Sequence, residues 1–171
     1  ENIGKDDKYD DYLKMSQLRE TNYQASVVVQ TWCDNFCTFC IVPYTRGREI
    51  SRPKDEILEE IKVLADSWVK EITLVGHNVN SYWKQQNKAL WNEEKSKWND
   101  WLWISPFREL LDEINKIEWI DRIRFTSSNP HDMTNDILDA HFDCDKVCNY
   151  LHFALQSGND EILKKMNRRH T

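Results

Sequence analysis

Glycine is scarce in this chain, with four residues in 171, where average usage of about 7% predicts about 12. Neither a phosphate-cradling glycine loop nor a serine-nucleophile elbow is found, so the commonest nucleotide-binding and hydrolase signatures are excluded. Long apolar runs are missing as well. No stretch approaches the ~18 residues of a membrane span and no signal-peptide pattern opens the chain, so no membrane association is expected. Positive charge is the minority sign, 23 Lys and Arg against 29 Asp and Glu for a net charge of −6. Phosphate contact draws on Lys and Arg, so this piece is not expected to be the main grip on a nucleic acid. What is present suits one soluble domain: 40% apolar and 30% charged residues over a length that can bury a real core. There are also eight tryptophans, an excess taken up below.

Five cysteines form an odd set, and Cys33, Cys37 and Cys40 stand close together, which argues against a disulfide framework and for a reducing, cytoplasmic setting. The three lie within Trp32-Cys33-Asp34-Asn35-Phe36-Cys37-Thr38-Phe39-Cys40-Ile41-Val42-Pro43-Tyr44. Thiolates this near in sequence can share one metal centre, because closing so short a loop costs little ordering. Three is the informative number. Structural zinc sites close with four protein ligands, and ordinary ferredoxin clusters are held by four cysteines. A trio leaves a metal position open, unless a histidine such as His77 completes a zinc site. Cys144 and Cys148, apart from the cluster, read as buried thiols, and His131, His141, His152 and His170 form no paired ligand motif.

Residues 1–24 are polar and charge-mixed and read as a linker or tail. The first residue is not methionine, and the chain reads as a piece of something longer. Val27-Val28-Val29 is a short β-branched run suited to a buried parallel strand. After Pro53, apolar Ile57, Leu58, Ile61, Leu64 and Ala65 recur at helical spacing, with Asp55 and Glu56 at the positive end of the helix dipole. Glu71–Val75 reads as a second strand, making a β–α–β unit. Residues 84–104 hold neither period and read as an exposed polar insertion. Ser105-Pro106 opens a helix carrying Phe107, Leu110, Leu111, Ile114 and Ile117 on one face. Ile123–Thr126 is the third expected strand, Thr134 the cap of a helix through Ile137 and Leu138, Tyr150–Leu155 the fourth strand, and Ile162, Leu163 and Met166 mark a last helix. The fold class is therefore α/β, a parallel sheet with helices outside it. In such sheets ligands gather beyond the carboxyl ends of the strands. The cysteines, Gly76-His77-Asn78-Val79-Asn80, Thr126-Ser127-Ser128-Asn129-Pro130 and Gln156-Ser157-Gly158 all fall at such ends.

The cysteine loop resembles that of the radical S-adenosylmethionine (radical SAM) enzymes. Its continuation through Tyr44-Thr45-Arg46-Gly47-Arg48-Glu49-Ile50-Ser51-Arg52-Pro53 resembles the methylthiotransferase branch, and within it the tRNA 2-methylthioadenosine synthases of the MiaB family. The resemblance runs from about Ala25 to the last residue. It implies a radical SAM core over 25–171, a partial (β/α) barrel with about four of the usual six units. It also implies a 4Fe–4S cluster on Cys33, Cys37 and Cys40, with S-adenosylmethionine chelating the open iron. The implied reaction starts from a 5′-deoxyadenosyl radical that takes hydrogen from an adenine carbon of a prenylated adenosine beside the tRNA anticodon, where sulfur and then a methyl group are added. Implied partners are a tRNA anticodon stem-loop and an electron donor such as flavodoxin or ferredoxin. The family's N-terminal second-cluster domain and C-terminal RNA-binding domain are missing here, so the piece alone is expected not to complete the reaction. A sibling methylthiotransferase acting on threonylcarbamoyl-adenosine or a ribosomal protein stays open, as does an inactive fragment or plain metal-binding module.

By the same resemblance, Phe39 packs near the adenine, and the segment Gly76, His77, Asn78 receives the methionine ammonium, with His77 where the family more often has Gln. Thr126, Ser127, Gln156 and Ser157 are candidates to hold the ribose or carboxylate. Phe153-Ala154 departs from the family's Leu-Pro. Four tryptophans, Trp32, Trp68, Trp83 and Trp119, stand where glycine is expected. A chain from a lineage that reads UGA as glycine, translated with a table that reads it as tryptophan, would show this pattern. If Trp91, Trp98, Trp101 and Trp103 share that origin, the polar insertion becomes a glycine-containing loop.

Overall fold

The structure is a computed structural model that describes residues 21–83 and 104–171. The expected tail over 1–20, and residues 84–103 of the expected insertion with their four tryptophans, lie outside the described residues.

Three parallel strands in the order β1–β4–β5 form the main sheet: β1 (Gln24–Val28), β4 (Glu71–Val75) and β5 (Arg122–Phe125). Ala25 pairs with Ile72 and Val27 with Leu74; Ile72 in turn meets Ile123, and Leu74 meets Phe125. These six side chains are buried, as in a parallel sheet packed on its faces. A separate antiparallel pair, β2 (Gln30–Thr31) and β3 (Ile50–Ser51), flanks the cysteine loop, with Gln30 opposite Ser51 and Thr31 opposite Ile50. A single helical turn, α1 (Val42–Thr45), lies between them.

The helices form where the apolar spacing predicts. α2 (Lys54–Asp66) buries Ile57, Ile61, Leu64 and Ala65, and carries Asp55 and Glu56 in its first turn. α3 (Pro106–Asn115) starts with Pro106 and is capped by Ser105, whose hydroxyl accepts from the Arg108 amide at 3.2 Å; it buries Phe107, Leu110, Leu111 and Ile114. α4 (Asn135–Asp143) follows Thr134. Thr134 occupies the cap position without making the cap bond, and its buried Oγ1 has no hydrogen-bond partner. α5 (Asp160–Lys165) is capped by the Asn159 side chain, which accepts from the Ile162 amide at 3.1 Å.

The expected fourth strand over Tyr150–Leu155 does not form. Only two isolated parallel bridges, Ile123 to Val147 and Ser128 to Phe153, tie this segment beside β5. Between them the Tyr150 amide turns back to the Cys148 carbonyl at 2.7 Å, and on the facing segment Ser127 has φ +65°. Both features break the even ladder a parallel strand requires.

Every tryptophan among the described residues has left-handed backbone: φ is +63° at Trp32, +68° at Trp68, +65° at Trp83 and +71° at Trp119. Bulky residues rarely occupy this region. At Trp68 the cause is a complete Schellman stop of α2, in which the Val69 amide reaches the Leu64 carbonyl at 3.1 Å and the Trp68 amide the Ala65 carbonyl at 3.0 Å. Glycine is the usual occupant of that position.

Candidate functional site

Three of the segments singled out in the sequence, the cysteine loop, residues 76–80 and residues 126–130, are joined at one end of the sheet by hydrogen bonds into a ring that closes through His152, Ala154 and Arg168, whereas Gln156-Ser157-Gly158 takes no part in it. Gln30, fully buried, begins it. Its Nε2 donates to the Trp32 carbonyl at 3.0 Å and its Oε1 accepts from the Asn78 amide at 3.1 Å, which couples the entry of the cysteine loop to the exit of β4. Asn78 and Asn80 then reach the exit of β5. Asn78 Nδ2 donates to Asp132 Oδ2 at 2.8 Å, while Asn80 and Asn129 bond reciprocally, at 2.9 Å to the Asn129 carbonyl and 2.8 Å from its amide. The Ser127 amide donates to His152 Nδ1 at 2.9 Å, joining the β5 exit to the following segment. Finally Arg168 reaches from beyond α5 to both the Ala154 carbonyl and, at 3.4 Å, Cys37 Sγ, returning to the cysteine loop.

Cys37 is buried, whereas Cys33 and Cys40 are half-buried, and none of the three is in a disulfide. Burial pushes the Cys33 thiol up to about 11, although its sulfur accepts from Asn35 Nδ2 at 3.3 Å. The Cys40 amide bonds the Cys37 carbonyl at 2.9 Å, forming the turn that carries the last two sulfurs. Among the described residues, no three His, Cys, Asp or Glu side chains stand close enough to share a single metal ion. His77, the possible fourth zinc ligand, instead packs against the Trp32 ring at 5.6 Å between centroids, and burial followed by the Arg46 charge lowers its pKa. Three free thiols on one short loop are the soft donor set that iron–sulfur groups use. Cys144 lies apart, donating to Asp112 Oδ1 at 3.3 Å beneath α3.

The other sequence candidates are divided. Gly76 and Asn78 are inside the ring, and an added Cβ at Gly76 would stand 2.7 Å from Gln30 Oε1. Ser127 contributes its amide. The Thr126 amide only continues the sheet, at 3.2 Å to the Leu74 carbonyl. Phe39 is exposed, as is Gln156, which has φ +66°. Gln156 and Ser157 line an open cleft of about 470 Å³ with Asp160 and His170. The basic run beside the loop is largely paired: Arg48 with Asp34 at 3.0 Å, Arg52 with Glu60 at 2.6 Å and Lys54 with Glu109 at 3.6 Å, while Arg46 lies 5.3 Å over the Trp32 ring. Sequence reasoning did not single out Gln30, Asp132, Asn167 or Arg168, and it considered His152 only as a ligand without a paired motif. A polar Gln directly after three valines was the available signal for the first.

Residues 27–171 match the family model described as the Radical SAM superfamily. The chain belongs to the radical SAM superfamily. Its resemblance to the methylthiotransferase branch is matched by curated relatives. It is 47% identical over 153 residues to a tRNA-2-methylthio-N(6)-dimethylallyladenosine synthase of Acetivibrio thermocellus, covering 90% of this chain and 29% of that protein. Proteins of the same name from Clostridium tetani (47% over 150 residues, 88% of this chain and 30% of the relative) and Roseobacter denitrificans (42% over 166 residues, 97% and 34%) are also similar. The chain thus spans about a third of the length of these relatives. Radical SAM enzymes use a 4Fe–4S cluster with S-adenosylmethionine. Among the described residues, no helix is long and apolar enough to cross a membrane.

Proposed function

We propose that this chain is the cofactor-binding part of a cytoplasmic tRNA methylthiotransferase, one that places a 2-methylthio group on an N6-prenylated adenosine beside the anticodon. The observation that carries this reading is a loop of three free thiols, tied through Gln30 and Asn78 to the exit of β4 and through Cys37 to Arg168, in a chain 47% identical to synthases of that name. Cys33, Cys37 and Cys40 hold the cluster. Gly76, His77 and Asn78 form the wall toward the methionine ammonium of S-adenosylmethionine, with Gly76 allowing close approach; Phe39 packs toward its adenine, and Thr126, Ser127, Gln156 and Ser157 hold its ribose or carboxylate. Bound together, the two cofactors supply the one-electron chemistry that starts hydrogen removal from the adenine carbon. The protein's contribution is placement and exclusion of water. Gln30 and Asn78 fix the loop against β4, so the sulfurs do not need to be ordered when the metal arrives. The electron donor is a flavodoxin or ferredoxin, and most of the contact with the anticodon stem-loop comes from parts of the enzyme outside these residues. The pairing of Arg48, Arg52 and Lys54 with carboxylates beside the loop supports this.

Anaerobic reconstitution of the full-length enzyme, with iron and zinc counted and the iron signal recorded before and after adding S-adenosylmethionine, tests the cofactor reading. Cys37→Ser in the same protein should lose iron from this site. An iron signal indifferent to S-adenosylmethionine would sink the reading. Nucleoside analysis of host tRNA after gene disruption tests the substrate. Loss of the methylthio group from the prenylated adenosine is expected, and loss from threonylcarbamoyl-adenosine would point to the sibling activity.

A further inference from the structure

The end of α5 grips the cysteine loop across about 130 residues of sequence, the separation of Asn167 from Phe36 being 131. α5 stops in a Schellman turn: the Arg168 amide reaches the Leu163 carbonyl at 2.8 Å, the Asn167 amide reaches that of Lys164 at 3.1 Å, and Asn167 has φ +57°. Asparagine tolerates this conformation. The stop fixes where the next side chains point. Asn167 Nδ2 donates to the carbonyls of Phe36 at 2.9 Å and Asn35 at 3.3 Å. Thr38 answers from the loop, its amide on the Met166 carbonyl at 3.2 Å and its hydroxyl on that of Lys165 at 3.0 Å. Arg168, held by the Ala154 carbonyl through Nη2, directs Nη1 at Cys37 Sγ.

We propose that Arg168 is a positioning residue that tunes the cluster, raising its reduction potential through its charge and its N–H···S bond to Cys37; this rests on the cysteine trio holding the cluster. Reduction adds negative charge to the cluster and its sulfurs, so a permanently charged guanidinium beside a buried ligand favours the reduced form. Cys37 is 8% exposed, so water screens the contact poorly. The test is an EPR-monitored redox titration of the reconstituted full-length enzyme and its Arg168→Gln and Arg169→Gln variants. Arg169 is exposed, so its variant removes the same charge one residue away. The expected result is a more negative potential in Arg168→Gln and none of that shift in Arg169→Gln. Equal shifts in both, or none in either, would overturn the proposal. Should Arg168→Gln lose its cluster, Arg168→Lys decides: it keeps the charge but not the fork, and is expected to shift the same way by less. A potential equal to wild type there would mean that charge alone sets it, and would overturn the part assigned to the N–H···S bond. Wild-type protein that binds no iron on the trio would instead defeat the reading beneath.

The left-handed tryptophans carry a second, independent inference. We infer that positions 32, 68, 83 and 119 are glycine in the protein its host makes, the codon being UGA read there as glycine. All four tryptophans in the described residues have φ between +63° and +71°, a region few non-glycine residues enter. Trp68 and Trp119 are 75% and 61% exposed, so burial does not explain their backbone; the Trp119 ring meets Lys70 Nζ at 5.0 Å, and Trp68 sits where helices end in glycine. Exchanging all eight tryptophans would also bring glycine to the about 12 that average usage predicts. The codons and the tryptic peptide Val63–Lys70 from host cells test this. UGA codons and a peptide lighter by the difference between tryptophan and glycine are expected; UGG codons with an intact indole would overturn it. The recombinant Trp68→Gly chain should also melt higher than the chain bearing tryptophan.

Discussion

Gln30 Oε1 lies 2.7 Å from the point where a Cβ on Gly76 would stand, and the Gln30 carbonyl lies 3.1 Å from the same point. The close approach lets one buried side chain serve two strand exits, through the Trp32 carbonyl and the Asn78 amide. Gly76→Ala is therefore expected to displace Gln30 and loosen both loops, costing about 1–3 kcal/mol as overpacking does elsewhere. Gln30→Ala removes the nearer obstacle but not the backbone oxygen, so the cost of Gly76→Ala should shrink in that background without vanishing. Urea unfolding of the four proteins of this cycle checks it, and additive effects would contradict the contact.

This relationship marks where sequence reading stops. The strands and helices were legible because their apolar periods agree with their caps: Ser105-Pro106 before Phe107, and Pro53 before Ile57. Glu71–Val75 was found to the residue for the same reason. The segment at Tyr150 was misread as a strand because its composition suits one, whereas the local bond from Tyr150 to Cys148 decides otherwise. The family was legible from the cysteine spacing together with the run from Tyr44 to Pro53. The residues that hold the cysteine loop were not, because Gln30, Asp132, His152 and Arg168 become partners only when distant segments meet. Nothing local in their neighbourhoods distinguishes them from ordinary polar residues.

Glu49 supplies a pH test. Its side chain is buried, accepts from Ser81 Oγ at 2.9 Å and faces Asp132 and Asp34; burial first, and those carboxylates next, push it up to about 7. A carboxyl raised on folding gives stability that is complete below its unfolded pKa and is lost as pH climbs through the folded value. The wild type should therefore weaken between about pH 4.5 and 7 relative to Glu49→Gln, which keeps an acceptor for Ser81. The gap should open by about 3 kcal/mol over that window and stay flat above it. Paired denaturant melts from pH 4 to 9 measure it, and parallel curves would refute the assignment.

At the other end of the sheet the sign reverses. Glu71 opens β4 opposite Gln24 and Arg122, and its carboxylate accepts from Gln24 Nε2 at 3.0 Å, Arg122 Nε at 2.6 Å and Arg124 Nε at 3.1 Å. Burial pushes its pKa up, but the two guanidiniums outweigh burial and hold it below the usual value. Its contribution is thus present above the unfolded pKa and lost as pH falls through the folded one, on the acid side where Glu49 contributes nothing further. Glu71→Gln should flatten the acid limb of the stability curve. Near neutral pH it should cost about 1 kcal/mol, limited because Arg122 is half exposed and its pairing is screened. Arg122→Gln alone should retain part of the acid limb, since Arg124 still holds the carboxylate; complete flattening in that variant would mean Arg124 contributes nothing.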